Sequence, residues 1–147
     1  MEHVCRSADL ICATTNSSTA LWEGAWLKPS AHVNAIGSYT PEMQEVDAAT
    51  MTRSWVVLDE PGAAESSGDV CIPLAAGAIT QESNGLLTLG SLLLMQGPGS
   101  TVAPPARGGS TDCTLFKSVG VAVQDVSTAA AAVARAEEMG IGTKAQL

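Results

Sequence analysis

Short apolar runs, each followed by turn-forming residues, divide the chain into candidate strands. Residues 8–15 (ADLICATT), residues 31–36 (AHVNAI) and Ser54–Leu58 (SWVVL) are apolar enough and short enough to predict buried β-strands. Residues 69–73 (DVCIP) are a candidate for a fourth, shorter strand. Turn chemistry follows the first run at residues 16–19 (NSST), so that strand is expected to end in a polar loop.

Helical signals stand between and after these runs. Thr40, Pro41 and Glu42 combine an N-cap residue, a proline suited to the first helical position and an acid that favours the positive end of the helix dipole. They predict a helix that begins at Thr40. A short helix interrupted by a glycine is predicted over residues 86–95, followed by a loop rich in glycine and proline over residues 97–109.

The longest helix is predicted over residues 118–139. Its apolar positions recur at alternating intervals of four and three residues, which places them on one helix face. These positions are Val119, Val123, Val126, Ala130 and Val133. Gly140 suits the position just after the helix. Strands that alternate with helices predict an α/β domain with a mainly parallel sheet, in which ligands bind at the strand ends.

The composition narrows the classes of partner. The 147 residues suffice for one domain, and 46% apolar with 15% charged residues excludes a disordered chain. A net charge of −8 without a basic cluster predicts no nucleic-acid partner and no attraction to an anionic membrane. The most apolar stretch, residues 86–95, is far shorter than the roughly 20 residues that span a bilayer.

Cysteine usage and the N-terminal residues bear on location. Cys5, Cys12, Cys71 and Cys113 form no C-x-x-C pair, which predicts buried free thiols rather than a zinc site. No basic region precedes an apolar run at the N-terminus, so no signal peptide is expected. Together these features predict a cytoplasmic protein in a reducing compartment.

Familiar catalytic and nucleotide-binding motifs are not found. The sequence contains no G-x-G-x-x-G and no G-x-x-x-x-G-K-[ST]. His32 lies inside an apolar strand, where a structural role is favoured, and His3 lies near the chain end. Glu45 and Asp47, two residues apart on the predicted helix, would diverge and are interpreted as part of a solvated face.

Three blocks carry a resemblance to a known family. They are residues 8–18 (ADLICATTNSS), residues 26–43 (WLKPSAHVNAIGSYTPEM) and residues 114–125 (TLFKSVGVAVQD). In that order they resemble the ornithine cyclodeaminase/mu-crystallin family over most of the chain. The resemblance implies a partial Rossmann-like, mainly parallel sheet with flanking helices and a long C-terminal helix. Residues 1–147 would be the C-terminal portion of an NAD(P)-binding Rossmann domain, without its first βαβ unit and without the N-terminal substrate and dimerisation domain.

The resemblance also implies site residues and partners. The residues implied to contact NAD(P) are Thr14, Thr15, Asn34, Ala35, Ile36, Gly37, Ser38 and Ser118, and those implied to contact the substrate are Tyr39 and Val119. No catalytic residue is assigned, and the spacing of the cysteines predicts no metal ligand. The residues alone leave Thr14 and Thr15 open as ordinary strand residues and Ser118 as a helix cap. The chain alone is expected to bind NAD(P) weakly or not at all, and to form a homodimer only with the missing domain.

One position bears on the reaction. Family members that deaminate carry an aspartate two residues after the glycine of the second block, where this sequence has Tyr39. A phenol is a poor general base at neutral pH. The resemblance therefore implies a parent enzyme that reduces a cyclic imino acid with NAD(P)H. An ornithine cyclodeaminase-type lyase and a non-catalytic remnant or binding module are the alternatives. Leu89-Gly90-Ser91 also departs from the family, which usually has an acid after that glycine.

Overall fold

The computed structural model describes residues 1–95 and 111–145. Five strands form one sheet, in the spatial order β1-β2-β5-β3-β4. The strands are β1 (Leu10–Ala13), β2 (His32–Ala35), β3 (Ser54–Leu58), β4 (Gly85–Thr88) and β5 (Cys113–Lys117). The helices are α1 (Glu2–Ser7), α2 (Ala48–Arg53), α3 (Ala63–Ser66), α4 (Gly68–Ala75), α5 (Gln81–Asn84), α6 (Leu89–Met95) and α7 (Ala122–Met139), with a 3₁₀ turn at Gly24–Trp26.

Every strand pair in the sheet is parallel, which confirms the predicted α/β class. The central strand β5 pairs with β2 on one side and with β3 on the other. Backbone hydrogen bonds continue past the strand ends, from the N–H of Ser118 to the carbonyl of Ala35 and from that of Asp59 to Lys117. The carboxyl ends of β1, β2, β3 and β5 therefore meet at one edge of the sheet.

Aliphatic side chains build the core, as the low aromatic content requires. Burial alternates along β3 and β5, which places every second residue of each strand in the interior. The fully buried aliphatic residues include Val33, Val56, Val70, Met51 and Leu115. The strands at residues 8–15, 31–36 and Ser54–Leu58 are confirmed by β1, β2 and β3. Neither β5 nor α1 was predicted.

The helix predicted to begin at Thr40 is wrong. The backbone turns at residues 40–43, closed by a bond from the N–H of Met43 to the carbonyl of Thr40, and α2 begins only at Ala48. Asp47 is its N-cap, with its carboxylate accepting the N–H of Thr50 at 2.7 Å. The three helix signals at residues 40–42 do not produce a helix, because N–H groups that a helix would use bond to other parts of the fold. The N–H of Gln44 bonds to the carbonyl of Ser17, and the N–H of Glu45 bonds to Asp69 Oδ1.

Two further element predictions are wrong in part or in full. Residues 69–73 lie inside α4, because a short apolar run does not distinguish a strand from a buried helix. Residues 86–95 begin as β4, and only Leu89–Met95 is helical. Strand β4 begins at Gly85, whose φ of 85° favours glycine. A side chain at this position would also overlap the ring of Trp55. The loop predicted over residues 97–109 lies outside the described residues.

The long C-terminal helix is confirmed, with a later start than predicted. Gly120 has φ 86°, a left-handed conformation that keeps residues 118–121 out of the helix, so α7 begins at Ala122. Gly140, in the left-handed conformation, ends it as predicted. No residue of α7 is buried, and Val126 of its apolar stripe is 67% exposed. Among the described residues, no helix combines the length and the apolar content needed to cross a bilayer.

The four cysteines are free, as predicted, but they are not all buried. Cys5 and Cys113 are buried, Cys71 is half-buried, and Cys12 is exposed. Cys12 lies on the same face of β1 as the exposed Leu10, whereas the buried Ala13 points to the opposite face of the sheet. The prediction of burial is therefore wrong for Cys12.

Candidate functional site

An open groove of about 440 Å³ lies where β1 and β2 end. The residues that line it are Thr14, Thr15, Asn16, Ile36, Gly37 and Tyr39. Two loops form its walls, one leaving each strand, and the Tyr39 ring stands at the rim with 59% of its surface exposed. The groove is thus made of small side chains, exposed backbone and one aromatic ring, at the sheet edge where ligands of parallel α/β domains bind.

The floor of the groove depends on a close approach between the two loops. A side chain at Gly37 would overlap the backbone N–H and carbonyl of Thr15, so only glycine fits there. The carboxylate of Glu45 lies behind this contact and accepts the N–H of Gly37 at 2.7 Å and the N–H of Thr15. Glu45 is fully buried, so its assignment to a solvated face is wrong. The helix assumed for residues 40–47 misdirected it.

A buried ion pair lies next to Glu45. Lys117 at the end of β5 donates to Asp69 Oδ2 at 3.1 Å, and both side chains are completely buried. Burial lowers the pKa of Lys117, against the charges of Asp69, Glu45 and Asp59, which raise it. The pair of Lys117 and Asp69 was not predicted from the sequence. The signal was a lysine inside the apolar run of β5, where a charge needs a buried partner.

A third carboxylate holds the turn after β5. Asp59 Oδ2 accepts the Ser118 hydroxyl at 2.8 Å and the N–H groups of Val119 and Gly120 at 2.9 and 2.8 Å. Ser118 therefore follows β5 directly and does not cap α7, so the interpretation of Ser118 as a helix cap is wrong. Val119 is half-buried beside it.

The structure brings some of the proposed contact residues together and keeps others apart. Thr14, Thr15, Ile36, Gly37 and Tyr39 all line the groove. Ala35 is buried within β2, and the amide of Asn34 contacts Cys12 Sγ at 3.5 Å. Ser38 is buried and donates its hydroxyl to the carbonyl of Met43 at 2.6 Å. Ser118 and Val119 lie at the neighbouring strand end, and the ligand contacts of all these residues remain predictions.

Neither histidine forms part of a catalytic set among residues 1–95 and 111–145. His32 Nδ1 lies 2.7 Å from the Thr114 hydroxyl, and Nε2 lies 3.1 Å from Asn34 Oδ1. Both ring nitrogens thus bond within the sheet, in line with a structural role. In the same ranges, no three histidine, cysteine or acidic side chains come together as a metal site would require.

Known proteins share this chain's sequence and fold. The model of the ornithine cyclodeaminase/mu-crystallin family matches residues 1–140. Delta(1)-pyrroline-2-carboxylate reductase of Bacillus cereus (strain ATCC 14579) is 33% identical over 142 residues, which are 95% of this chain and 41% of that protein. The chain therefore spans about 40% of the length of the curated relatives it matches.

Solved structures agree with the sequence relatives. Thermococcus litoralis Delta(1)-pyrroline-2-carboxylate reductase in complex with NADH and L-proline superposes with a TM-score of 0.77 at 28% identity, over 98% of this chain and 42% of that one. Iminosuccinate reductase of Paracoccus denitrificans in complex with NAD⁺ gives 0.76 at 27%, over 99% and 42%. Both the family model and these folds lead to one conclusion: the chain belongs to the ornithine cyclodeaminase/mu-crystallin family.

Proposed function

We propose that this chain forms the nicotinamide-facing portion of an NAD(P)H-dependent reductase that acts on a cyclic imino acid. The observation that carries the proposal is the groove at the ends of β1 and β2, in a chain whose 33%-identical relative is named a Delta(1)-pyrroline-2-carboxylate reductase. The chain would correspond to the C-terminal portion of the NAD(P)-binding Rossmann domain. The first βαβ unit and the substrate and dimerisation domain would lie in the remaining length of such a reductase.

The groove suits a flat ring. Its floor is backbone and glycine, because Gly37 carries no side chain and Thr15 approaches it closely. Such a surface lets a planar ring lie near peptide groups. Thr14 and Thr15 line the same groove, and their hydroxyls would be the hydrogen-bonding partners for the carboxamide of a bound nicotinamide. A bound nicotinamide would supply hydride to the carbon of a C=N bond.

Tyr39 favours reduction over loss of ammonia. Its ring is exposed at the rim of the groove, where a substrate would meet it. A phenol donates a hydrogen bond and forms a pocket wall, but it is a poor base near neutral pH. Elimination of ammonia needs a group that accepts and releases protons near neutral pH. Hydride addition to a protonated imine needs chiefly a correct orientation of the substrate. Tyr39 would therefore orient the imino acid rather than move its protons.

Cofactor affinity, dimerisation and location form the rest of the proposal. The lack of a G-x-G-x-x-G phosphate-binding motif within these 147 residues favours weak or no cofactor binding by the chain alone, and it also supports a non-catalytic remnant as the second candidate. A homodimer would form only through the substrate and dimerisation domain of such a reductase. Four free cysteines suit a cytoplasmic location.

Restoring the missing length tests the proposal. The part of the Bacillus cereus relative that precedes its match to this chain would be fused to residues 1–147, and the fusion assayed with NADH or NADPH. We expect reduction of pyrroline-2-carboxylate and no ammonia from ornithine. Tyr39→Phe should keep most of the turnover, and Tyr39→Asp should lower it without creating a lyase. Proline and ammonia formed from ornithine would overturn the reductase, and a folded fusion inactive on both substrates would indicate a remnant.

A further inference from the structure

Glu45 occupies an unusual place for an acidic side chain. It is completely buried behind the groove, and its two carboxylate oxygens accept one N–H from each of the two loops that form the groove walls. The two N–H groups belong to Thr15, in the loop after β1, and to Gly37, in the loop after β2. Both strands end within a residue or two of these N–H groups, so the carboxylate joins the two strand ends at the point where the groove begins.

Only a carboxylate fits both bonds. Two N–H donors converge on the side chain, and each needs an acceptor. A carboxylate offers an acceptor on each oxygen, whereas an amide of the same shape offers one acceptor and one donor. Glutamine at position 45 would therefore turn one hydrogen bond into a donor facing a donor. Bonds to an ionised acceptor are also stronger than those to a neutral one.

Buried charges hold Glu45 itself in place. Asp69 Oδ1 accepts the backbone N–H groups of Glu45 and Val46 at 2.7 and 3.0 Å, which fixes the backbone that carries the carboxylate. Asp69 Oδ2 in turn receives Lys117 Nζ. Lys117 is the buried positive charge beside these two buried acids. The chain of contacts runs from β5 through Asp69 to Glu45 and ends at the groove.

We propose that Glu45 is a positioning residue that sets the width of the groove by holding the ends of β1 and β2 together. This inference rests on the proposed nicotinamide site. Glu45 touches no ligand in this scheme, because the loop backbones lie between it and the groove. Its effect is on how closely Thr15 and Gly37 approach each other, and therefore on how a ring fits against them.

Asp47 supplies a matched control two residues along the same segment. Its carboxylate also joins two backbone N–H groups, accepting Gly24 at 2.9 Å and Thr50 at 2.7 Å. Neither Gly24 nor Thr50 lines the groove. Asp47→Asn thus removes a carboxylate bridge of the same kind away from the groove, so any difference from Glu45→Gln reports on position rather than on lost hydrogen bonds.

The test uses the full chain and two NMR readouts. Amide hydrogen exchange of Thr15 and Gly37 is measured relative to Leu115, a buried amide of β5, and NADH is titrated into each variant. We expect Glu45→Gln to speed exchange at Thr15 and Gly37 by about tenfold and to weaken NADH binding by a similar factor, the size expected for one lost charge-assisted hydrogen bond. Asp47→Asn should change neither the exchange rates of Thr15 and Gly37 relative to Leu115 nor the affinity for NADH. Glu45→Asp keeps a carboxylate at this position and should give intermediate values, and it replaces Glu45→Gln if that variant does not fold.

The outcomes separate the positioning role from the site. Unchanged exchange at Thr15 and Gly37 in both Glu45 variants would overturn the inference, as would an equal change in Asp47→Asn. Faster exchange with unchanged NADH affinity would show that Glu45 joins the strands without shaping the site, which also overturns it. If the unmodified chain shows no NADH shifts at the groove, the nicotinamide site fails for this chain. The exchange data would then still confirm or refute that Glu45 joins the two strand ends.

Discussion

The carboxyl edge of the sheet and helix α7 are built in opposite ways. At the sheet edge, Glu45, Asp69 and Lys117 are completely buried, and each bonds to a backbone or charged partner. Among the described residues, no buried side-chain polar atom lacks a hydrogen bond. Helix α7 has 18 residues, and none of them is buried. Its apolar residues Val123, Val126 and Val133 are each at least 59% exposed.

This difference shows where contacts among the described residues fix the structure. The sheet edge satisfies its own polar groups, so its geometry follows from contacts within residues 1–95 and 111–145. Helix α7 buries none of its residues, so it lacks the packing of an apolar face from which most helix stability in proteins comes. Changes at the sheet edge should therefore alter stability strongly, and changes on α7 should alter association instead.

The largest expected effect comes from the buried ion pair. Lys117→Met leaves Asp69 buried without its cation, and breaking a buried pair in this way costs about 3–5 kcal/mol of unfolding free energy. Arg135→Met breaks the exposed Arg135–Glu138 pair of α7 and should cost at most about 0.5 kcal/mol. Urea unfolding of both variants measures the contrast, and similar midpoints for the two would refute the difference between the regions.

A smaller loss is expected from one methyl group at the groove floor. Gly37→Ala places a Cβ into the backbone of Thr15 and against the Glu45 carboxylate, and overpacking of this kind costs about 1–3 kcal/mol. Gly90→Ala is the control, because the nearest atom to its new Cβ is Thr88 Oγ1 at 4.0 Å and alanine favours a helix by about 0.5–1 kcal/mol. Thermal unfolding should move in opposite directions for the two variants. A stabilising Gly37→Ala would show that the loops do not meet as described.

Changes on α7 should leave folding stability almost unaltered. The pair Val126→Ser and Val133→Ser removes exposed apolar surface, so the free energy of unfolding should change by less than about 0.5 kcal/mol per site. Size-exclusion chromatography should show less self-association, with weaker binding of an apolar dye, because exposed apolar patches promote association. If the unmodified chain elutes as a monomer without dye binding, the stripe is covered and the comparison fails.

Cysteine reactivity gives a finer contrast within the sheet. Burial raises the pKa of the Cys113 thiol to about 11, whereas Cys12 is exposed on the edge strand β1. Because the thiolate is the reactive form, iodoacetamide near pH 8 should alkylate Cys12 and spare Cys113. The rate at Cys113 should rise only as the pH approaches 11. Mass spectrometry of the peptides measures both, and Cys113 modified as fast as Cys12 at pH 8 would contradict the described burial.

The sequence predicts β1, β2, β3 and α7, but it predicts neither the central strand β5 nor the strand β4. Apolar runs locate β1, β2 and β3, and a regular stripe with Gly140 locates α7, because these elements follow from local pattern. The helix predicted to begin at Thr40 is wrong because the N–H groups of Glu45 and Val46 bond to Asp69, which lies far along the chain. The groove residues follow from the family resemblance. The network of Glu45, Asp69 and Lys117 could not be predicted, because tertiary contacts decide which buried charges meet.

The most direct test of the central claim is an NMR titration of the full 147-residue chain with NADH, with AMP as the control ligand. The sequence alone leaves weak binding and no binding open, and the groove favours weak binding: we expect NADH-dependent amide shifts at Thr15, Ile36, Gly37 and Tyr39, with an affinity in about the millimolar range because the sequence contains no G-x-G-x-x-G motif to bind the pyrophosphate. AMP, which lacks the nicotinamide, should leave those amides unchanged. Equal shifts with AMP, no shifts at the groove, or a low-micromolar dissociation constant would contradict it.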